Sequence, residues 1–152
     1  MSNKEKLNTV LSGVSGEYFV AAELSKRGYI ASITLRNTKG VDILCSNAEA
    51  TKTVGIQVKT SSGAKRSWIL NQKAEKYFAD NLFYIFVNLY KNKKHPDYFI
   101  VPSKVVSKYC KKGHSNWLRT PGKRGQKHND TPMRKFHDPE EEYLNRWELL
   151  NL

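Results

Sequence analysis

The chain has 152 residues, of which 39% are hydrophobic, so it is long enough and apolar enough for one domain with a core, which excludes a disordered chain. No apolar run approaches the roughly 18 residues of a membrane span, and MSNKEKLNTV lacks the apolar segment of a signal peptide, so we expect a cytoplasmic protein. Lysine and arginine number 26 against 14 acidic residues, for a net charge of +12, and residues 61–139 hold 17 basic and five acidic residues. This concentration favours a polyanionic partner, nucleic acid before an acidic membrane surface.

The first part of the chain predicts a helix followed by strands. The helix covers residues 15–27 and ends at Gly28, which suits a left-handed C-terminal cap. LFYIFVNLY is apolar on both faces and therefore predicts a central strand. The other elements predicted up to residue 101 are strands at 29–35, 41–46, 54–60, 67–70, 82–90 and 97–101, and a short helix at 72–80. This order indicates a mixed α/β sheet with helices packed against it.

The remainder predicts two helices joined by a basic connection. The first covers 103–112, with Ser103 as N-cap and Gly113 as its end. Residues 114–137 have no clear period and read as a basic loop. The second helix covers 138–150, starting at Asp138, with a docking stripe formed by Tyr143, Leu144, Trp147 and Leu150. We expect a single domain over 1–152, with its core at about 12–112.

Three polar side chains interrupt the apolar strands of GVDILCSNAEATKTVGIQVKT. Alternation places Gln57 and Lys59 on the strand face opposite Val54, Ile56 and Val58. If the two strands form a hairpin, Asp42 lies close to both. Glu17 is followed at i+3, i+4 and i+7 by apolar residues, which places its carboxylate on the helix face that packs on the sheet, where an acid needs a compensating cation.

These side chains suit the hydrolysis of a phosphodiester. Glu17, Asp42 and the amide oxygen of Gln57 form a ligand set for Mg²⁺, or Mn²⁺, which prefer oxygen ligands. Lys59 adds a fixed positive charge beside the metal, where it stabilises charge on the reacting phosphate.

The pattern of a helix-borne glutamate, GxD on a strand and QxK on the next strand resembles the PD-(D/E)XK nuclease superfamily, over about residues 12–100. More narrowly, it is similar to the QxK variant of Mrr-type and Holliday-junction-resolvase-like nucleases. The resemblance implies a restriction-endonuclease-like mixed β-sheet flanked by helices. It also implies Glu17 as the helix-borne acid, Asp42 as the main metal ligand, Gln57 as the variable ligand and Lys59 as the catalytic lysine. Gly40 and Val41 replace the usual proline, and Gln57 replaces the usual acid, which implies weaker metal binding or a single ion.

We therefore predict a metal-dependent endonuclease that cuts duplex or branched DNA as a homodimer, because one small subunit cuts one strand. The alternatives are a catalytically inactive nucleic-acid-binding module on the same fold and a basic adaptor for a protein partner. A zinc site formed by Cys110, His114, His128 and His137 is a weaker alternative, since the spacings fit no compact motif and free thiols are expected at both cysteines. The predicted nucleic-acid contacts are Lys65, Arg66, Lys104, Lys108, Lys111, Lys112, Arg119, Lys123, Arg124 and Lys127.

Overall fold

The structure is a computed structural model that describes residues 8–35, 39–91 and 94–152. The described elements form two α-helices, seven strands and two short 3-10 helices. In chain order they are α1 (Thr9–Lys26), β1 (Ile30–Ile33), β2 (Ile43–Ser46), β3 (Thr53–Ser62), β4 (Ser67–Asn71), a 3-10 helix (Gln72–Glu75), β5 (Leu82–Leu89), β6 (Asp97–Pro102), α2 (Ser103–Arg119), β7 (Met133–His137) and a second 3-10 helix (Trp147–Leu150).

Five of the strands form one mixed sheet, in the order β1-β2-β3-β5-β6. β3 and β5 are parallel, and the other neighbours are antiparallel. The predicted α/β class and the hairpin of β2 and β3 are therefore confirmed. β5 lies between two strands, as its apolar run predicts, and all but the last of its residues are buried.

Two apolar clusters cover the two faces of this sheet. On one face, Val20 and Leu24 of α1 pack with Ile56 and Ile85. On the other face, residues of α2 pack with β4, β7 and the alternate residues of β5, among them Tyr84 and Phe86. The side chains of β5 alternate between the two clusters, while Val54, Ile56 and Val58 of β3 all belong to the α1-side cluster.

β4 and β7 pair outside the main sheet as a two-stranded antiparallel ribbon. The inward side chain of Trp68 packs on Phe86 and Phe99, with ring centroids 5.0 and 4.9 Å apart. The indole N–H of Trp68 also donates a hydrogen bond to the carbonyl of Val87 at 3.0 Å. The ribbon is thus fixed to the α2 face of the sheet. The predicted strand at 67–70 exists, but it is not a member of the main sheet.

Both predicted ends of the α2 region differ from the structure. Pro102 occupies the N-cap, while the hydroxyl of Ser103 bonds to the backbone of Ala79 instead. The helix continues through Gly113 to Arg119, because one interior glycine costs only about 1 kcal/mol. It ends where Thr120, which precedes a proline, turns extended. Residues 114–137 are therefore not one loop: 114–119 are helical and 133–137 form β7.

The predicted helix over 138–150 is wrong. Glu141 and Asn145 adopt positive φ angles of 57° and 56°, which no α-helix accommodates. The carboxylate of Asp138 accepts hydrogen bonds from the N–H groups of Glu142 and Tyr143, at 3.0 and 2.9 Å, and so closes a turn. The predicted docking stripe is also split, because Tyr143 and Leu144 pack in the α2-side cluster and Trp147 and Leu150 in the α1-side cluster. The segment wraps around the edge of the sheet at β6, and only its last turn is a 3-10 helix.

Candidate active site

The ladder between β2 and β3 ends beside Asp42. The last main-chain hydrogen bond of this ladder runs from the N–H of Asp42 to the carbonyl of Ile56, at 2.8 Å. The next amide of β3, that of Val58, donates to the carboxylate of Asp42 at 2.7 Å. The carbonyl of Asp42 in turn accepts a bond from the N–H of Thr34, at 2.9 Å. Asp42 is thus held from both neighbouring strands, at the point where β2 and β3 part.

Gln57 and Lys59 flank the amide that Asp42 binds. Their side chains lie on the face opposite the cluster that contains Ile56 and Val58, and both line one cavity of about 540 Å³ on the α2 side. The cavity is bounded by Lys39, Gly40, Gln57, Lys59, Leu70, Asn71, Lys73, Ala74, Lys76, Tyr77 and Tyr84. The structure therefore holds the Asp42 carboxylate at the amide between Gln57 and Lys59, although Asp42 itself is not among the residues that line the cavity.

Glu17 comes from the opposite layer. It lies on α1, which packs on the other face of the sheet from Gln57 and Lys59, and it does not line the cavity. Its neighbour Gly16 marks the closest approach of α1 to β3, since a Cβ there would lie 1.9 Å from the hydroxyl oxygen of Thr60. Glu17 is thus adjacent to the part of β3 that carries Lys59, on its far side.

The turn before Asp42 is held against the 3-10 helix region by Tyr77. Gly40 has a φ of 71°, and a Cβ at this position would lie 2.4 to 2.5 Å from the ring and hydroxyl of Tyr77. A side chain at residue 40 is therefore excluded twice, by the backbone conformation and by the ring. This contact explains why glycine stands two residues before the aspartate, and it closes one wall of the cavity.

The cavity is strongly cationic. Four lysines line it, at positions 39, 59, 73 and 76, and no acidic residue is among its lining residues. Burial raises the pKa of Tyr84 to about 12, so its phenol stays neutral at ordinary pH. Negatively charged groups such as phosphates are the ligands that this lining attracts.

The available oxygen donors suit a hard divalent cation that needs few ligands from the protein. The carboxylate of Asp42 uses one oxygen for the Val58 amide, and Gln57 beside it offers an amide oxygen. Mg²⁺ keeps several waters and needs only one or two carboxylates. Among the described residues, no three His, Cys, Asp or Glu side chains form a group that could hold a metal ion. A divalent ion here would therefore depend on Asp42 and on the neutral oxygen of Gln57, because Glu17 lies in the opposite layer.

The ten predicted nucleic-acid contacts lie outside this cavity. Some are engaged within the protein: Arg66 pairs with Glu141, Lys104 pairs with Asp80, and Lys111 lies 5.8 Å from the ring of Phe78. The guanidinium of Arg119 bonds back to its own helix. The exposed remainder are Lys65, Lys108, Lys112, Lys123, Arg124 and Lys127.

The sequence interpretation missed the other cavity lysines. Lys73 and Lys76 belong to or follow the 3-10 helix, and Lys39 belongs to the turn before Asp42. For Lys73 and Lys76, the only indication in the sequence was the run QKAEK after the fourth predicted strand. It becomes informative once that strand is known to lie over the same face as Lys59.

The cysteine and histidine alternative is not supported by the described part of the chain. Cys110, His114 and His137 line a second cavity of about 380 Å³, but in the described part of the chain they do not form a group that could hold a metal ion. His114 bonds to Asp130 at 2.7 Å, and His128 stacks on Trp117 with centroids 4.1 Å apart. Burial raises the pKa of Cys110 to about 11, which disfavours the thiolate that zinc requires. Both cysteines are buried free thiols.

Within the described ranges, no helix is both long and apolar enough to span a bilayer. No protein-family model and no curated protein matches the sequence.

Solved structures do resemble this one. The bacterial homing endonuclease I-Ssp6803I superimposes with a TM-score of 0.57 at 13% identity, over 95% of this chain and 92% of that one. The Holliday junction resolvase Hjc of Archaeoglobus fulgidus gives a TM-score of 0.42 at 14% identity, over 87% of this chain and 95% of that one. The match to the homing endonuclease covers nearly the whole chain, including the mixed five-stranded sheet with α1 and α2 on its two faces. The chain therefore has a restriction-endonuclease-like fold.

Proposed function

We propose that this protein is a metal-dependent endonuclease that hydrolyses phosphodiester bonds of DNA. The observation that carries the proposal is that the Asp42 carboxylate binds the Val58 amide, and that the two residues flanking Val58, Gln57 and Lys59, line a lysine-rich cavity. An acid, an amide oxygen and an ammonium group in one place provide what the reaction needs from a protein: oxygen ligands and a compensating positive charge.

Each side chain has a distinct role in this proposal. Asp42 and Gln57 would hold the divalent ion, Mg²⁺ or Mn²⁺, whereas the third predicted ligand, Glu17, lies in the opposite layer and stays a sequence-based prediction. When bound, such an ion makes water nucleophilic at neutral pH and polarises the phosphate. Lys59 stabilises the negative charge that develops on the phosphate oxygens as water adds to phosphorus and the bond to one sugar oxygen breaks.

The substrate is duplex or branched DNA, and the acting species is a homodimer. One subunit carries one set of Asp42, Gln57 and Lys59, so breaking both strands requires two sets. The absence of acidic residues from the cavity lining supports a polyanionic substrate.

The test uses purified protein with Mg²⁺ and three substrates: plasmid, single-stranded DNA and a four-way junction. We expect cleavage of at least one substrate, abolished by EDTA and slowed about 100-fold by Lys59→Ala, the typical cost of one charge-stabilising donor. Lys26→Ala is the matched control, because this lysine is exposed on the last turn of α1, and it should cut like the wild type.

Other outcomes support the alternatives. Binding with a steep salt dependence and no cutting would leave an inactive nucleic-acid-binding module, in which Gln57 in place of an acid no longer retains the ion. Indifference to DNA at physiological salt would favour a basic adaptor for a protein. Cutting that survives Lys59→Ala would contradict the assignment of this site.

A further inference from the structure

The β4–β7 ribbon has an outward side-chain face, part of which, at Ser67, Met133, Lys135 and His137, borders the second cavity beside α2. The antiparallel register pairs Ser67 with His137, Ile69 with Lys135 and Asn71 with Met133, and these six side chains share the outward face. Ile69 is 67% exposed and Met133 is 48% exposed, although both are large apolar residues in strands. A strand face of this kind is not needed for the core of the protein.

The opposite face of the ribbon is firmly anchored. Trp68, Leu70, Arg134 and Phe136 are each at most 8% exposed. The guanidinium of Arg134 donates to the carboxylate of Glu75 at 2.6 Å and to the carbonyls of Thr131 and Met133 at 2.6 and 3.0 Å. The outward side chains therefore project from a rigid support, which precise recognition requires.

The charge of the ribbon matches a polyanion. The segments SWILN and MRKFH contain no acidic residue. Lys65 lies just before β4 and Lys73 just after it, and Lys127 precedes β7; the first and last are exposed, and Lys73 lines the site cavity. Lysine binds guanine edges and apolar groups contact the thymine methyl, so Lys135 and Ile69 suit base edges. The side-chain oxygen of Asn71 already accepts a hydrogen bond from the N–H of Lys73 at 3.1 Å.

The ribbon also lies beside the candidate active site. Leu70 and Asn71 line the same cavity as Gln57 and Lys59. Asn71 belongs both to the cavity lining and to the outward face of β4, so the two surfaces meet at this residue. The major groove, about 12 Å wide, admits a two-stranded ribbon whose strands are about 4.8 Å apart.

We propose that the outward face of the β4–β7 ribbon enters the major groove of duplex DNA and reads base pairs next to the cleaved bond. Lys135 selects guanine, Ile69 contacts a thymine methyl, and the amide of Asn71 lies at the end nearest the site. This inference rests on the proposed function, for which it supplies a source of sequence specificity.

The test is selection of duplexes from a random pool in EDTA, where binding does not depend on catalysis. Wild type should enrich one sequence that contains guanine and thymine close together. Ile69→Thr and Lys135→Gln should each bind that sequence about tenfold more weakly, the effect of losing one base contact, and relax the preference at one base pair. Their affinity for an unrelated duplex of equal length should change less than the affinity for the selected one.

Ile30→Thr and Lys26→Gln are the matched controls. Ile30 is a 52% exposed isoleucine of the edge strand β1, and the Lys26 side chain is 79% exposed on α1, so both substitutions repeat the chemistry away from the ribbon. Both controls should keep the wild-type preference. Thermal unfolding of all four variants verifies that the fold is intact, which outward-facing substitutions should leave unchanged.

A pool with no enriched sequence, or ribbon variants that keep the wild-type preference, would overturn the proposal. These results are distinguishable from failure of the nuclease function. A protein that cuts DNA without selecting a sequence refutes only the ribbon, and one that selects a sequence in EDTA without cutting it in Mg²⁺ refutes only the nuclease.

Discussion

The Asp42 carboxylate is both a candidate metal ligand and a structural acceptor for the Val58 N–H. Two different substitutions at this position separate the two roles. Asp42→Asn retains an oxygen for the Val58 amide, so we expect a folded protein without cleavage. Asp42→Ala leaves the amide unsatisfied, and we expect it to lower the free energy of unfolding by about 1–3 kcal/mol. Urea unfolding and the plasmid assay together measure both effects.

Glu49→Gln is the matched control for this pair, because Glu49 is exposed in the turn between β2 and β3. It should change neither stability nor cleavage. A wild-type cleavage rate for Asp42→Asn would contradict the role of the carboxylate in holding the ion.

The two buried thiols make the stability of the folded protein fall at alkaline pH. Burial raises the pKa of both Cys45 and Cys110 from 9.0 to about 11. The folded state therefore keeps protons that the unfolded state releases, so the stabilisation is complete below pH 9 and is lost as the pH rises through 11. We expect the free energy of unfolding, measured in urea, to fall between pH 9 and pH 11. The double variant Cys45→Ala/Cys110→Ala should show a smaller fall; an identical fall would assign the effect to other groups.

At the scale of elements, one buried ion pair joins β7 to the 3-10 helix that lines the site. The side chains of Arg134 and Glu75 are 7% and 19% exposed. Removing one partner leaves a buried charge, so we expect Arg134→Met to cost about 3 kcal/mol of unfolding free energy. The double variant Arg134→Met/Glu75→Met should cost less than either single variant, measured as a double-mutant cycle in urea. Additive costs would show that the two side chains are not coupled.

The strands were more predictable than the final segment, for a physical reason. LFYIFVNLY and VGIQVKT carry their burial pattern locally, because alternation within one strand decides which residues face each layer. The segment after Asp138 is apolar at helical spacing, but Leu144 and Trp147 go to opposite faces of the sheet. That division depends on the β6 edge that the segment crosses, and local periodicity contains no information about it.

The candidate site was likewise predictable only where local strand patterns determine it. The hairpin and the alternation of β3 give the proximity of Asp42, Gln57 and Lys59, which the Asp42–Val58 bond bears out. The sheet face on which Glu17 lies and the lysines that line the cavity depend on how α1 and the ribbon pack on the sheet. Local sequence patterns do not contain this tertiary packing. The roles of all four predicted residues in catalysis stay predictions.

At the scale of the whole molecule, the positive charge is spread over several surfaces rather than one. The cavity holds four lysines, and Lys123, Arg124 and Lys127 lie exposed beyond the end of α2. If this basic loop contacts phosphates, replacing all three by glutamine should weaken DNA binding for every sequence. The slope of log affinity against log salt should then shrink by about 0.9 per lost contact.

Fluorescence anisotropy over a potassium chloride series, in EDTA, measures this slope. The double variant Lys26→Gln/Lys52→Gln, with both residues exposed on other surfaces, is the control and should leave it unchanged. An unchanged slope for the triple variant would place the 120–127 loop away from the bound DNA.

The pairing of β4 with β7 also governs the order in which the protein matures. Synthesis proceeds from the N-terminus, so β4 leaves the ribosome long before its partner strand exists, whereas β2 and β3 follow one another directly. Trp68 can already settle on Phe86 and Phe99 during this interval, but the free edge of β4 remains open to another nascent chain. Any ligand surface built on that ribbon is therefore completed only after Asp42 and the strand that carries Gln57 and Lys59 have been synthesised.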